Sequence, residues 1–234
     1  MIVCIESGIP GFEEMTHTDS FMGGIPENST TLVYGPPKTG KSIFSYQFCY
    51  NGLINEEPCL YITTNKGLKM FIAETNDYNL SVDEYLMNGS LHIIDTVSDI
   101  LEKKVEPTET VVNSEINNPT DLMVNIGSKI NLVRNQNPRF RSVLNSATTL
   151  LAYNESMLIV RVIKAYLMRV KEAGGTPIIT YTEDSADKIV ETMLKSMVDN
   201  IIRMDGNELQ IEAMKGFGKS ENNYIITENG IKLE

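Results

Sequence analysis

Histidine and cysteine are scarce in this chain of 234 residues, which carries two of the first and three of the second. Cys4, Cys49 and Cys59 form no CxxC pair, and Cys49 falls in an apolar run with helical spacing. That usage argues against a disulfide framework or a thiolate metal centre, and buried reduced thiols are the expectation. His17 gives no signal, and His92 lies in the apolar stretch LHII, where a packed core histidine is expected rather than a ligand. No apolar run approaches the roughly 20 residues needed to span a bilayer. The opening MIVCIESGIP has no basic leader. The expectation is a cytoplasmic protein without a membrane partner.

Positive charge is also in short supply. Lys and Arg number 20 against 31 Asp and Glu, a formal net charge of −11. Proteins that grip a phosphate backbone use Lys and Arg to displace condensed counterions. Here no basic cluster appears beyond Lys103–Lys104. A local basic channel in an assembled ring stays open, but the balance argues against nucleic acid as the main partner.

From about residue 30 short apolar runs alternate with segments of helical period. TTLVYG (30–35), CLYIT (59–63), SLHIID (90–95), FRSVL (140–144) and PIITYT (177–182) read as strands. Helices are expected over SIFSYQFCYNGLI, LKMFIAET, Thr120 to about Arg134, about 155–173 up to the Gly174-Gly175 stop, and ADKIVETMLKSM. The stretch 103–119 is polar, carries two prolines and reads as a surface excursion. After the helix ADKIVETMLKSM the tail changes character, with NIIRMD, ELQIEAMK, YIITEN and IKLE separated by turn signals. The expectation is α/β: one domain over 1–234, a mainly parallel central sheet with helices on its faces, and an antiparallel extension at the C-terminal edge.

GPPKTGKS (35–42) matches GxxxxGK[ST] between an expected strand and an expected helix. Gly35 and Gly40 let the backbone wrap closely around phosphates, and the N–H groups from Lys38 through Thr39 to Ile43 can point at an anion at the positive end of a helix. Lys41 offers a point charge to the β- and γ-phosphates, and the Ser42 hydroxyl can ligate Mg²⁺. A bound nucleotide, ATP or ADP, is the reading.

Those residues carry a resemblance. GIPGFEEMTHTDSFMGGIPENSTTLVYGPPKTGKSIFSYQFCYNGL resembles the opening of RecA-superfamily ATPases of the KaiC/Rad55 kind, common in archaea. PCLYITT, RFRSVLNSATTLLAYNE, GGTPIITYTED and the closing IEAMKGFGKSENNYIITENGIKLE are similar to later family segments. SATTLLAYN corresponds to a Ser-rich turn. The resemblance implies a RecA-like core that binds ATP and often assembles into a homo-oligomeric ring, commonly a hexamer. ATP would lie between neighbours, with Lys215 in the place of a basic residue offered in trans. The family lysine two positions earlier falls on Ala213.

Against that pattern the chain departs twice. The resemblance implies an acidic pair after the second core strand, and the matching residues are Asn65 and Lys66. An amide has no proton affinity near neutrality and cannot act as a general base. It also implies an aspartate at the end of the third motif strand, where Asn145 could accept one hydrogen bond without adding charge near Mg²⁺, so that affinity for the ion should fall. Replacement by Glu183 is conceivable, with Asp184 and Glu155 as further candidates. Thr180 or Thr182 could sense the γ-phosphate. The expectation is a nucleotide-dependent regulatory or scaffold subunit, with an unidentified protein partner and weak or no hydrolysis. A slow ATPase with a replacement carboxylate is the alternative, and a Rad55-like accessory of DNA recombination a further one.

Overall fold

Four five-residue runs, TLVYG, CLYIT, LHIID and RSVLN, are buried at every position. Strands of a parallel sheet covered on both faces have this character. The computed structural model describes residues 2–98 and 106–234. From the N-terminus its elements are β1 (Cys4–Ile5), α1 (Phe12–Thr16), β2 (His17–Thr18), β3 (Phe21–Met22), β4 (Ile25–Pro26), β5 (Thr31–Gly35) and α2 (Lys41–Ile54). Then come β6 (Cys59–Thr63), α3 (Leu68–Asp77), α4 (Asp83–Met87), β7 (Leu91–Asp95), β8 (Val111–Asn113), α5 (Pro119–Gln136), β9 (Arg141–Asn145) and α6 (Ala147–Tyr153). The chain closes with α7 (Ser156–Glu172), β10 (Thr176–Thr182), α8 (Lys188–Ser196), β11 (Asn200–Asp205), β12 (Glu208–Ala213), β13 (Ser220–Thr227) and β14 (Gly230–Leu233).

Ten of these strands form one sheet in the order β14-β13-β12-β11-β5-β10-β9-β6-β7-β8. The seven from β11 to β8 pair in parallel, and β12, β13 and β14 extend the edge in antiparallel fashion. Successive strand residues face opposite sides. Val33, Tyr61, Ile93, Val143 and Ile178 pack with Phe44 and Phe48 of α2 and with Phe71 of α3. Leu32, Ile62, Ile94, Leu144 and Ile179 pack with α5, α6, α7 and α8 through residues such as Ile126, Leu150, Ile163 and Leu194. The antiparallel extension instead alternates buried and wetter positions, as β12 does, because one of its faces meets solvent.

Local chemistry sets the helix ends. The Asn118 side chain caps α5 by accepting from the Asp121 amide, with Pro119 at the first helical position. Glu155 caps α7 through the amides of Met157 and Leu158. Two segments differ from the sequence-based expectation. In the polar stretch 103–119, residues 103–105 lie outside those described, and Val111–Asn113 forms the edge strand β8 beside β7. Val111 and Ile116 are buried there, too few apolar positions in a polar context to show a period. The Ser-rich turn expected over SATTLLAYN is helix α6, whose Leu150 and Leu151 go into the core. Cys49 and Cys59 are buried free thiols, as expected, and Cys4 is partly exposed. His92 is a core residue whose ring pKa is lowered to about 4, chiefly by burial and secondarily by the charge of nearby Lys129.

A phosphate-loop cleft at the carboxyl ends of the strands

Gly35 closes β5 with φ +147°, and a Cβ there would stand 1.9 Å from the Met204 carbonyl oxygen on β11. Only glycine lets the chain leave the sheet at this point. Lys38 (φ 65°) and Gly40 (φ 88°) then adopt left-handed conformations, and α2 begins at Lys41. The Tyr224 hydroxyl of β13 braces the loop by donating to the Thr39 carbonyl at 2.5 Å. The loop therefore presents backbone amides at the first turn of a fourteen-residue helix, the arrangement that favours an anion.

Lys41 is buried and folds back, donating to the carbonyls of Gly35 at 2.9 Å and of Pro36. Loss of solvent lowers its pKa to about 8, partly offset by the charge of Glu183. A cleft of ≈ 550 Å³ opens over this loop, lined by Lys38, Gly40, Lys41, Ser42, Ile43, Asn65, Lys66, Asn145, Thr180 and Thr182. Gly35 and Thr39 shape it from beneath, Thr39 through a hydroxyl bond to the Pro36 carbonyl at 3.0 Å.

At the end of β9, Asn145 is wired into a directional chain of hydrogen bonds. Ser45 uses its single hydroxyl proton on the Ser42 carbonyl at 2.7 Å, so the Tyr61 hydroxyl, 2.8 Å away, donates to Ser45. Tyr61 in turn accepts from the Asn145 amide at 2.9 Å. The Asn145 oxygen accepts from Thr180 at 2.8 Å and faces the Ser42 hydroxyl at 3.4 Å. Every position of this chain matches an amide donor at residue 145. A carboxylate there would present an acceptor to a hydroxyl oxygen whose proton is already committed.

Mg²⁺ prefers hard, charged oxygen ligands in near-octahedral geometry. Beside Ser42 the protein supplies only the Ser42 hydroxyl and an Asn145 oxygen already engaged by Thr180. Among the described residues no cluster of three or more His, Cys, Asp or Glu side chains could hold a metal. This neutral pair of donors offers a Mg²⁺ bound to phosphates and water one hydroxyl ligand and no charge, so the protein's own hold on the ion is weak.

Of the candidate replacement carboxylates, Glu183 stands beside the phosphate loop, close enough to act on Lys41, and Glu155 and Asp184 do not line the cleft. Glu183 forms a two-armed pair with Arg203 at 3.2 and 3.0 Å. Glu155 caps α7, and Asp184 is exposed in a left-handed turn. Among the described residues, Glu74 and Asp77 of α3 are the carboxylates that line the cleft. Glu74 pairs with Lys66 and accepts from the Tyr46 hydroxyl at 2.8 Å. None of Tyr46, Glu74, Asp77 and Tyr78 stood out in the sequence. Tyr46 lies one turn after Ser42 on α2, and that spacing was the available signal. Lys215 is exposed, and its amide donates to Asn200 at 3.0 Å. Asn200 pairs with Thr31 at the start of β5, so Lys215 sits at the end of the sheet away from its own phosphate loop.

Fold and loop together define a RecA-type P-loop nucleotide-binding protein. The chain belongs to the KaiC ATPase family, whose model matches residues 5–233. Membership in this family implies nucleotide binding. The chain is 30% identical over 243 residues to a UPF0273 protein of Pyrococcus furiosus, covering 99% of this chain and 94% of that one. It is also 25% identical to the circadian clock oscillator protein KaiC of Parathermosynechococcus lividus, covering 97% of this chain and 42% of that one. A KaiC-like protein from Pyrococcus horikoshii superposes across the whole of both chains with a TM-score of 0.77 at 21% identity, a likeness of fold.

Proposed function

We propose that the protein holds ATP or ADP over Lys41 with weak or no hydrolysis, as a nucleotide-dependent regulatory or scaffold subunit of the cytoplasm. One observation carries this reading: Asn145 is fixed as an amide donor to Tyr61, while the phosphate loop itself is intact. Binding energy then stabilises a folded or assembled state by mass action, without turnover. The similarity to a circadian clock oscillator protein, KaiC, supports a regulatory role.

The position of Lys215 supports a homo-oligomer. Asn200 and Thr31 lie four strand steps, roughly 13 Å, from the loop at Gly35, so Lys215 serves a phosphate only in a neighbouring copy, as in a hexameric ring. A slow ATPase needs a carboxylate at the terminal phosphate; Glu183, Glu155 and Glu74 are each engaged in other bonds, which leaves Asp77 as the cleft carboxylate for that alternative. A Rad55-like accessory role in DNA recombination conflicts with the net charge of −11. Equilibrium dialysis with ATP and ADP tests the reading. Saturable binding that Lys41→Ala weakens at least about tenfold is expected, since a charge-assisted contact is lost. Binding that survives the substitution unchanged would place the nucleotide elsewhere.

A further inference from the structure

The cleft offers three ammonium groups, Lys38, Lys41 and Lys66, where the donors beside Ser42 are neutral. Lys66 is the unusual one. Its backbone is pinned, because the Thr63 hydroxyl donates to its carbonyl at 2.5 Å. Its ammonium reaches both carboxylate oxygens of Glu74. The two side chains are 26% and 27% exposed, so water screens the pair and it is weak. Glu74 also keeps a second partner, the Tyr46 hydroxyl from the phosphate-loop helix. Lys66 can therefore leave without stranding the carboxylate. A flexible four-carbon stem ending in a point charge suits that movement, and a terminal phosphate carries more charge than a carboxylate.

We propose that Lys66 stands in for a metal ion: on binding a nucleoside triphosphate its ammonium moves from Glu74 to the terminal phosphate, and ATP binds without Mg²⁺. The inference rests on the nucleotide-holding reading above. It makes Lys66 a specificity-determining residue that favours triphosphate over diphosphate, because only the terminal phosphate takes it from Glu74. It also gives the protein two states, with the Lys66–Glu74 pair closed or open between the second core strand and α3.

The test is calorimetric titration of ATP and ADP, each in Mg²⁺ and in EDTA, into the wild-type protein, Lys66→Ala and Glu74→Gln. For the wild type, ATP dissociation constants in the two buffers should agree within about threefold. Lys66→Ala should bind metal-free ATP at least about tenfold more weakly, with ADP little changed. Glu74→Gln releases Lys66 while leaving Tyr46 an acceptor, and should bind ATP more tightly than wild type. The proposal is overturned if the wild type binds ATP in Mg²⁺ but loses it in EDTA, or if Lys66→Ala holds metal-free ATP as wild type does. No binding in either buffer would remove the nucleotide-holding reading, and this inference with it.

Discussion

Asn145 and Lys41 are the two side chains on which the chemistry of the cleft turns. The Asn145 amide satisfies the Tyr61 hydroxyl, and Ser45 takes the tyrosine proton. Asn145→Asp forces this chain to reverse or leaves a buried acceptor facing an acceptor, at a cost of about 1–2 kcal/mol. Urea melts of the nucleotide-free protein should show that loss at unchanged slope; unaltered stability would mean the chain reverses freely. Lys41 gives a pH signature. Burial lowers its pKa to about 8, and a bound phosphate restores the charge. Below that pH the ammonium is charged in both states and affinity is flat. Above it, binding takes up a proton, and affinity falls by up to about tenfold per pH unit. The same group works against the nucleotide-free fold below pH 8, where the charge is buried, and that cost fades as pH rises towards the ordinary lysine value. Titrations between pH 7 and 9.5 should follow this curve, and Lys41→Met should flatten it.

At the level of strands and helices, the parallel core was legible because its strands are buried on both faces and read as unbroken apolar runs. CLYIT and LHIID match β6 and β7 to within a residue. The edge strand β8 was not, since three residues in a polar stretch give no period. The phosphate loop was legible from spacing alone, because its residues are contiguous. Glu74 and Tyr46 were hidden, because they meet Lys66 through the packing of α3 against α2, which no local pattern encodes. Arg141 was hidden likewise. It reads as an ordinary strand residue, yet it is 1% exposed, bonded to Glu57 at 2.7 Å and to the Phe48 carbonyl at 2.8 Å, over the Phe48 ring. Gly52 of α2 leaves room for it, since a Cβ there would lie 2.5 Å from the arginine stem. This pair ties the start of β9 to the phosphate-loop helix, and Arg141→Met should cost about 3 kcal/mol. Chemical denaturation checks it, and a loss below about 1 kcal/mol would mean that Arg139, 3.0 Å from Glu57, compensates.

For the whole molecule, the phosphate loop and Lys215 occupy opposite ends of the sheet, and the proposed homo-oligomer is testable on that separation. Lys215→Ala should leave ATP affinity unchanged in dilute protein and weaken it only at concentrations where sedimentation detects oligomers. Equal weakening at all concentrations would place Lys215 on its own nucleotide. On the proposed reading the cleft retains nucleotide without consuming it. A single-turnover experiment tests this: protein in excess over radiolabelled ATP with Mg²⁺, following bound label and released phosphate together. Label should stay on the protein as intact ATP, with phosphate release no faster than the Lys41→Ala control. Steady phosphate release that Lys41→Ala abolishes would contradict it, and would show that another carboxylate does what Asn65 and Asn145 cannot.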